Sequence, residues 1–414
     1  MPIIPVIVEQ HAEEAAFLWL LRDDAASDPH YSLSDLAKLD NRVEAHLDGL
    51  RIAGDEGWET CKATLAFEDA GELFTAAVSA FESGNERRIR DIVDAGGTDP
   101  ELSRGIISAL GWLPYPQSER FVIDFCSSEV PELGRIGVAA FAVHRQDPGI
   151  ILNDGLSSPD LFLLARTLKA IGELGKTELA GTTKDHLNDE DENCRFWAAW
   201  SSAVLGHMTG VPALLKTSEG EGPFSERACI AALRRMSVGE GHDWHRAVLE
   251  KPRLQRIALI GAGAIGDPGL IPWLIEHMSV PEIARLAGES FSMITGIDLA
   301  YEDLEVEWPE GFEAGPSENP EDEDVEMDPD EDFPWPEPKL IQEWWQKNKS
   351  NFKSGVRYLC GKPILEEQCR HVLKYGYQRQ RAAAALELAM MRPGQPLFNV
   401  KAPGFRQQTV LGLK

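Results

Sequence analysis

Apolar residues recur through the middle of the chain in a pattern that repeats about every thirty residues. Each copy opens with an arginine, continues with apolar and small residues three and four positions apart, breaks at a glycine, and resumes as a second short apolar run. Spacings of three and four are typical of an amphipathic helix, so each copy predicts a pair of helices. The copies open at Arg104, Arg135, Arg166, Arg195, Arg227, Arg256 and Arg285, which lie 31, 31, 29, 32, 29 and 29 residues apart.

The repeat predicts an all-α fold. The small residues after each arginine allow neighbouring helices to pack closely. The turn from Gly266-Asp267-Pro268 to Leu274 has the pattern G-D-P-x-x-I-P-x-L. This turn and the helix pairs resemble HEAT-type repeats, particularly the short variety of phycobilin-lyase-like proteins. The resemblance covers roughly residues 72 to 300 and implies a right-handed α-solenoid of HEAT-like helix pairs.

The segments outside the array differ from it in composition. Because terminal repeats of a stack need polar caps, the amphipathic segments at both ends predict helical caps. Four parts are therefore expected: an N-terminal helical cap over 1–71, the repeat array over 72–300, an acidic proline-rich insertion over 301–338, and a C-terminal helical cap over 339–414.

Acidic residues occupy a fixed position relative to the repeat arginines. An acid lies six residues before the arginine in five of the seven copies, where chance predicts about one. Stacking brings equivalent positions of neighbouring copies together, so these residues predict a structural ladder of paired charges that also caps the loops. The ladder consists of Arg135, Arg166, Arg195, Arg227 and Arg256 with Glu129, Asp160, Asp189, Glu221 and Glu250.

The charge of the chain is strongly negative and concentrated in the insertion. Forty Lys and Arg residues face 68 Asp and Glu residues, a formal net charge of -28, and residues 302–338 hold 17 acids and no Lys or Arg. Such a surface repels nucleic acid and anionic lipid, so a basic protein is the expected partner. The insertion is either disordered or ordered and pinned by its aromatic residues Trp308, Phe312, Phe333 and Trp335.

Part of the insertion combines apolar and acidic side chains in the way that binding surfaces do. We expect Phe333 and Trp335 to be apolar anchors for the basic partner, with the neighbouring acids providing electrostatic attraction. The predicted partner-binding residues are Trp308, Asp330, Glu331, Asp332, Phe333 and Trp335.

Two glycine-rich stretches superficially match nucleotide-binding loops. GAGAIG at 261–266 fits the dinucleotide pattern, but Asp267-Pro268-Gly269 follows at once and stops the helix that such a loop requires. The stretch from Gly172 to Thr177 ends like a phosphate-binding loop, yet Ala170 replaces the first glycine. Both stretches occupy repeat positions, and we expect helices there and no cofactor.

Two stretches resemble metal-binding motifs, but each motif is incomplete. Asp328, Asp330 and Asp332 imitate a calcium loop without its glycine, and His242 and His245 form an isolated H-x-x-H. The six cysteines form no C-x-x-C pair, which predicts free thiols. No apolar run approaches the roughly 18 residues of a membrane span. We therefore expect a cytoplasmic protein with no metal site, cofactor site or catalytic residues.

Several longer stretches resemble one family over nearly the whole chain. They are IVEQHAEEAAFLWLLRD, HLDGLRIAG, the segment from EWW to GVRYL, and QRQRAAAALELA. They are similar to a family of proteobacterial HEAT-like repeat proteins, of which some members are encoded near type VI secretion components. The extended surface of the array and the acidic insertion predict a non-enzymatic scaffold that binds a protein, and with this family context we expect an adaptor or chaperone for a secreted effector. The alternatives are an immunity protein that occludes a basic toxin and a bilin-lyase-like enzyme.

Overall fold

The computed structural model describes residues 3–315 and 327–413, which form two compact units. Unit 1 contains the chain up to Leu205 together with the described residues from Arg392 onward, and unit 2 runs from Gly206 to Met391. The α-helices of unit 1 are α1 Pro5–Ala25, α2 Leu33–Ala53, α3 Asp55–Thr64, α4 Ala70–Ser83, α5 Glu86–Gly96, α6 Ser103–Trp112, α7 Tyr115–Cys126, α8 Pro131–His144, α9 Ile151–Leu156, α10 Leu161–Glu173, α11 Ala180–Asp185, α12 Glu192–Val204 and α22 Gly404–Val410.

Unit 2 is also helical, apart from one short antiparallel hairpin. Its α-helices are α13 Val211–Ser218, α14 Ser225–Arg235, α15 Val238–Leu249, α16 Gln255–Ile265, α17 Ile271–His277, α18 Pro281–Thr295, α19 Pro338–Asn348, α20 Glu366–Tyr375 and α21 Gln378–Met391. The hairpin strands are β1 Tyr358–Leu359 and β2 Lys362–Pro363. Short 3-10 turns lie at Leu65–Phe67, Thr177–Leu179, Met208–Gly210, Pro252–Leu254, Pro268–Leu270 and Lys349–Asn351.

In unit 1 the first helix of each pair forms a continuous layer. Helices α4, α6, α8, α10 and α12 contact one another in that order, and α5, α7, α9 and α11 pack beside them. Small residues allow the close approach: a Cβ at Gly105 of α6 would lie 2.4 Å from the carbonyl oxygen of Ala70 in α4. Gly172 of α10 is equally close to Ser201 of α12. The predicted fold class, an all-α solenoid of stacked helix pairs, is confirmed.

Unit 2 repeats this packing with α14, α16 and α18 as its layer. The GAGAIG stretch is helix up to Ile265, and Gly266 ends it with a φ of 69°. Gly261 faces the ring of Trp244, and Gly263 faces Ser290 of α18. The expectation of a repeat helix at this position, in place of a nucleotide loop, is therefore confirmed.

Arg357 caps one end of the unit 2 layer. Its guanidinium donates to the carbonyl oxygens of Leu233, Arg234 and Met236 at 2.7 to 2.8 Å, where α14 ends. The amide of Tyr358 donates to the Gly266 carbonyl oxygen at 2.8 Å, where α16 ends. These bonds satisfy carbonyls that a helix end leaves without a partner.

The last residues of the chain perform the same role in unit 1. Arg406 donates to the carbonyl oxygens of Gly111, Trp112 and Leu113 at 2.8 to 3.1 Å, at the end of α6. The amide of Leu397 donates to the Glu173 carbonyl oxygen at 2.9 Å. The predicted single cap over 339–414 is thus divided in the structure, because 339–391 belong to unit 2 and 392–413 to unit 1.

Candidate functional site

The described ends of the acidic insertion are ordered and paired with each other. The amide of Val306 donates to the Trp335 carbonyl oxygen at 2.9 Å, and the amide of Glu337 donates to the Leu304 carbonyl oxygen at 2.8 Å. We call residues 301–315 and 327–337 the acidic strap. Residues 316–326 lie outside the described residues. The ordered alternative for the insertion therefore holds for the strap.

Arg285 of α18 is the central contact of the strap. Only 3% of the residue is exposed. Its guanidinium carbon lies 4.8 Å from the ring centroid of Trp308 and 4.9 Å from that of Trp335. Its Nη2 donates to Asp328 Oδ2 at 2.6 Å, and its Nη1 donates to the Asp330 carbonyl oxygen at 2.9 Å. Aromatic faces and a carboxylate together neutralise a cation that would otherwise be costly to bury.

Arg256 of α16 holds the same strap from the preceding repeat. Its two terminal nitrogens bind the two carboxylate oxygens of Asp330 at 2.7 and 2.8 Å, a bidentate pair, while its Nε donates to Glu226 at 3.0 Å. Burial alone would lower the pKa of Arg256, but the bonds to Asp330 and Glu226 raise it overall. The last two repeat arginines therefore fix the strap to unit 2.

The structure places three predicted partner-binding residues inside the chain's own fold. Phe333 is 5% exposed and Trp335 8% exposed, and the Asp330 carboxylate is buried against Arg256. The expectation that Phe333 and Trp335 present apolar anchors to a partner needs correction, because their side chains anchor the strap itself. The Phe333 ring packs in the core of unit 2 and against Arg379, and the buried Trp335 ring packs against Arg285.

The outer side of the strap nevertheless combines aromatic and acidic groups. Trp308 is 48% exposed and Tyr301 82% exposed, and Val306 and Met327 are also exposed. The Trp308 indole is held by a bond from Nε1 to the Phe312 carbonyl oxygen at 2.7 Å. We call this outer side the acidic-aromatic surface. Its exposed acids are Glu302, Asp303, Glu305, Glu307, Glu310, Glu313, Glu331 and Asp332.

Four of the five predicted ladder arginines form side-chain hydrogen bonds with groups other than the carboxylates of the predicted acids; the four are Arg135, Arg166, Arg195 and Arg256. Arg135 donates to Ser103 Oγ at 2.7 Å, and Arg166 pairs with Glu173 at 2.8 Å. Arg195 reaches Asp189 through the backbone carbonyl oxygen, at 2.5 Å. The carboxylate pairing predicted from spacing is therefore corrected. Arg166 binds within its own helix, Arg195 binds the loop before its helix, and Arg135 binds α6 of the preceding copy.

The predicted acids lie in the loops between helices. The carboxylate of Asp160 caps α10 by accepting from the Leu163 amide at 2.7 Å, and that of Asp189 accepts from the Asp191 amide at 3.0 Å. Both therefore satisfy loop or helix-end amides. The remaining ladder residues, Glu129, Glu221, Glu250 and Arg227, are exposed in or beside these loops.

The histidines singled out by their spacing are structural in unit 2. His242 Nε2 lies 2.8 Å from Asp267 Oδ2, and Asp267 also accepts from the amides of Gly269 and Gly355. His245 is buried, which lowers its pKa to about 4. Across residues 3–315 and 327–413, no three His, Cys, Asp or Glu side chains are grouped so that they could hold a metal ion.

A second candidate surface is a shallow groove of about 360 Å³ in unit 1. Trp112, Phe405 and Gln117 line it together with Arg51 and Glu82. Arg51 binds Glu82 through two nitrogens at 2.8 and 2.9 Å and also pairs with two carboxylates of its own helix. Because these charges satisfy one another, the groove is less suited than the acidic-aromatic surface to attract a charged partner.

Sequence reasoning missed Arg285 and Asp328 as site residues. One signal was available: Arg285 opens the copy directly before the insertion, and Ser279 stands where five other copies have their acid. A buried arginine without its ladder acid requires another carboxylate. The densest group of acids in the chain, the 17 of residues 302–338, follows directly, which indicates that the strap would fold back onto this helix.

The fold and this surface define a class: an all-α repeat protein that carries a pinned acidic strap. No α-helix within the described part of the chain is long and apolar enough to cross a membrane. No protein-family model and no curated protein sequence matches the chain. Among solved structures it is similar to human deoxyhypusine hydroxylase in complex with glycerol, at 18% identity and a TM-score of 0.21, over 69% of this chain and 94% of that one. At this TM-score the likeness carries no argument about activity.

Proposed function

We propose that this protein is a non-enzymatic scaffold that binds a basic protein through the acidic-aromatic surface. The observation that carries the proposal is the exposed ring of Trp308, which is held in place within the strap and whose neighbours in sequence, Glu307 and Glu310, are exposed acids. Tryptophan is the residue most often found at the energetic centre of an interface, and surrounding charges steer the partner and select its sign.

The buried side of the strap supports this role by fixing the surface before binding. Arg256 and Arg285 occupy Asp330 and Asp328, so these two carboxylates belong to the fold. The attraction for a partner then comes from the exposed acids, such as Glu305 and Glu307. A surface already ordered in the free protein loses less conformational entropy on binding than a flexible acidic tail would.

The finer form of the proposal is an adaptor or chaperone for a secreted effector of a type VI system, which follows from the family resemblance of the sequence. An immunity protein that occludes a basic toxin would use the same surface. The two roles differ in the cell. An immunity protein protects cells from the co-expressed partner, whereas an adaptor leaves the toxicity unchanged and is required for export of the partner.

The test is affinity capture with Trp308→Ala in the full chain, followed by identification of the partner and measurement of its affinity. We expect a basic partner whose affinity falls at least tenfold in Trp308→Ala, because a central interface tryptophan contributes about 2 kcal/mol or more. The affinity should also fall when salt is added, since exposed charges are screened.

Phe162→Ala is the matched control, because Phe162 of α10 is an exposed aromatic residue in unit 1. It should bind the partner as the unmodified chain does. A second variant, Glu305→Gln with Glu307→Gln, should reduce both the affinity and its dependence on salt. Equal affinities for Trp308→Ala and Phe162→Ala would contradict the proposal.

A further inference from the structure

Two histidines from different helices meet near the start of unit 1. His11 of α1 and His46 of α2 place their Nδ1 atoms 3.2 Å apart, and their ring centroids are separated by 5.2 Å at an interplanar angle of 67°. Both side chains are half-buried. A neutral imidazole carries one N–H, so one ring donates and the other accepts across this contact.

The backbone of α2 leaves space for this arrangement. A Cβ at Gly49 would lie 2.5 Å from Cδ2 and Nε2 of His11, closer than any real side-chain contact allows. Glycine is the least favourable residue in a helix interior after proline. Its presence one turn after His46 is therefore explained by the ring of His11, which any larger residue would displace.

We propose that His11 and His46 form a binding site for a divalent cation of the Zn²⁺ class. Zinc binds imidazole nitrogen at about 2.0–2.1 Å, so two nitrogens of a tetrahedral site lie roughly 3.3–3.4 Å apart. The observed separation of 3.2 Å is close to this value. On binding, the ring that donates shifts its proton from Nδ1 to Nε2, and both Nδ1 lone pairs then point to the cation with no net loss of a proton.

Glu14 supplies a third ligand. It lies three residues after His11 on α1, which places both side chains on the same face of the helix. Its carboxylate acts electrostatically on the ring of His46, against the opposing charge of Arg42. Because the described residues hold no preformed group of three such ligands, binding at this site requires the Glu14 side chain to rotate towards the two rings, and water occupies the fourth position.

The test is titration of the untagged chain with Zn²⁺, in competition with a chelating dye, and with Co²⁺ observed by visible absorption. We expect one equivalent bound by the unmodified chain, with an affinity at least tenfold lower in His11→Gln and in His46→Gln. Glu14→Gln should weaken binding to a smaller extent. Co²⁺ should give the intense absorption of a tetrahedral site.

Two further variants separate this site from incidental binding. His371→Gln removes an exposed histidine of unit 2 and should leave the affinity unchanged. Gly49→Ala keeps all three ligands but displaces the His11 ring, and it should lower the affinity at least tenfold while the helix stays folded. Zn²⁺ binding that is the same in His11→Gln, His46→Gln and the unmodified chain would overturn the proposal, as would the absence of a bound equivalent in the unmodified chain.

Discussion

Replacing Arg285 with methionine should release the acidic strap from unit 2. The side chains of Arg285 and Asp328 are only 4% and 8% exposed, so the substitution leaves a buried carboxylate without its cation and removes the contact with two indole rings. Removing one partner of a buried ion pair costs about 3–5 kcal/mol. Methionine has a similar length, so the loss arises from the charge and not from a cavity.

Hydrogen exchange measures the lost stability of the strap at individual amides. A local measurement is needed because a chain with two units need not unfold in one step. The amides of Val306 and Glu337 join the two ends of the strap and report its opening. A loss of 3 kcal/mol, at 1.4 kcal/mol for each tenfold change, lowers their protection by about 100-fold or more. Amides in the core of α16 should change much less.

Arg246→Met is the matched control, since Arg246 pairs with Asp243 where both side chains are more than 70% exposed. Such a pair contributes at most about 1 kcal/mol. In a double-mutant cycle, adding Asp328→Asn to Arg285→Met should cost less than the sum of the single changes. Protection at Val306 that changes less than threefold in Arg285→Met would refute the reasoning.

Three further predictions concern the fold. Burial raises the pKa of Glu289 from its ordinary 4.5 to about 7, so the folded chain holds this proton more tightly than the unfolded chain does. The free energy of unfolding of unit 2 should therefore fall as the pH rises from about 4.5 to 7. Glu289→Gln should remove this pH dependence in urea titrations. In thermal melts, Gly266→Ala should lower the free energy of unfolding by about 1–3 kcal/mol, because Gly266 has a φ of 69° and a Cβ there would lie 2.6 Å from the Tyr358 carbonyl oxygen. Gly239→Ala is the control: a Cβ at this position meets no neighbour within 4 Å, and the substitution should be nearly neutral. Burial raises the pKa of five thiols to about 12; the five are Cys61, Cys126, Cys194, Cys360 and Cys369. A thiol reagent should therefore label them slowly at pH 8 in the native chain and rapidly in urea. Fast labelling of the native chain would contradict this prediction.

The repeat helices could be predicted because their determinants are local. Apolar spacing and small residues lie within one copy, and the ends of the helices are marked by residues such as Gly266. The same local reasoning correctly identified GAGAIG as a helix. The packing of successive helices then follows from the repetition itself, which is why the fold class could be derived from the sequence.

The partners of the charged and aromatic residues could not be predicted in the same way. Composition marks Phe333 and Trp335 as apolar groups in an acidic segment, but it does not say whether they face a partner or their own chain. That depends on Arg285, 50 positions before Trp335 in the sequence, and on Arg379, 46 positions after Phe333. Likewise, spacing indicated that Arg256 has an acidic partner, but the contact with Asp330 spans 74 residues.

The return of the last residues to unit 1 has a consequence for how the protein is made. The bonds from Arg406 to the end of α6 join residues almost 300 positions apart, and the whole of unit 2 lies between them. A ribosome adding about 5–20 residues per second needs on the order of 10–40 s to synthesise unit 2. During that time the end of α6 lacks its bonds from Arg406, because Arg406 has not yet been synthesised. The packing of unit 1 is therefore completed only after the whole of unit 2 has been synthesised.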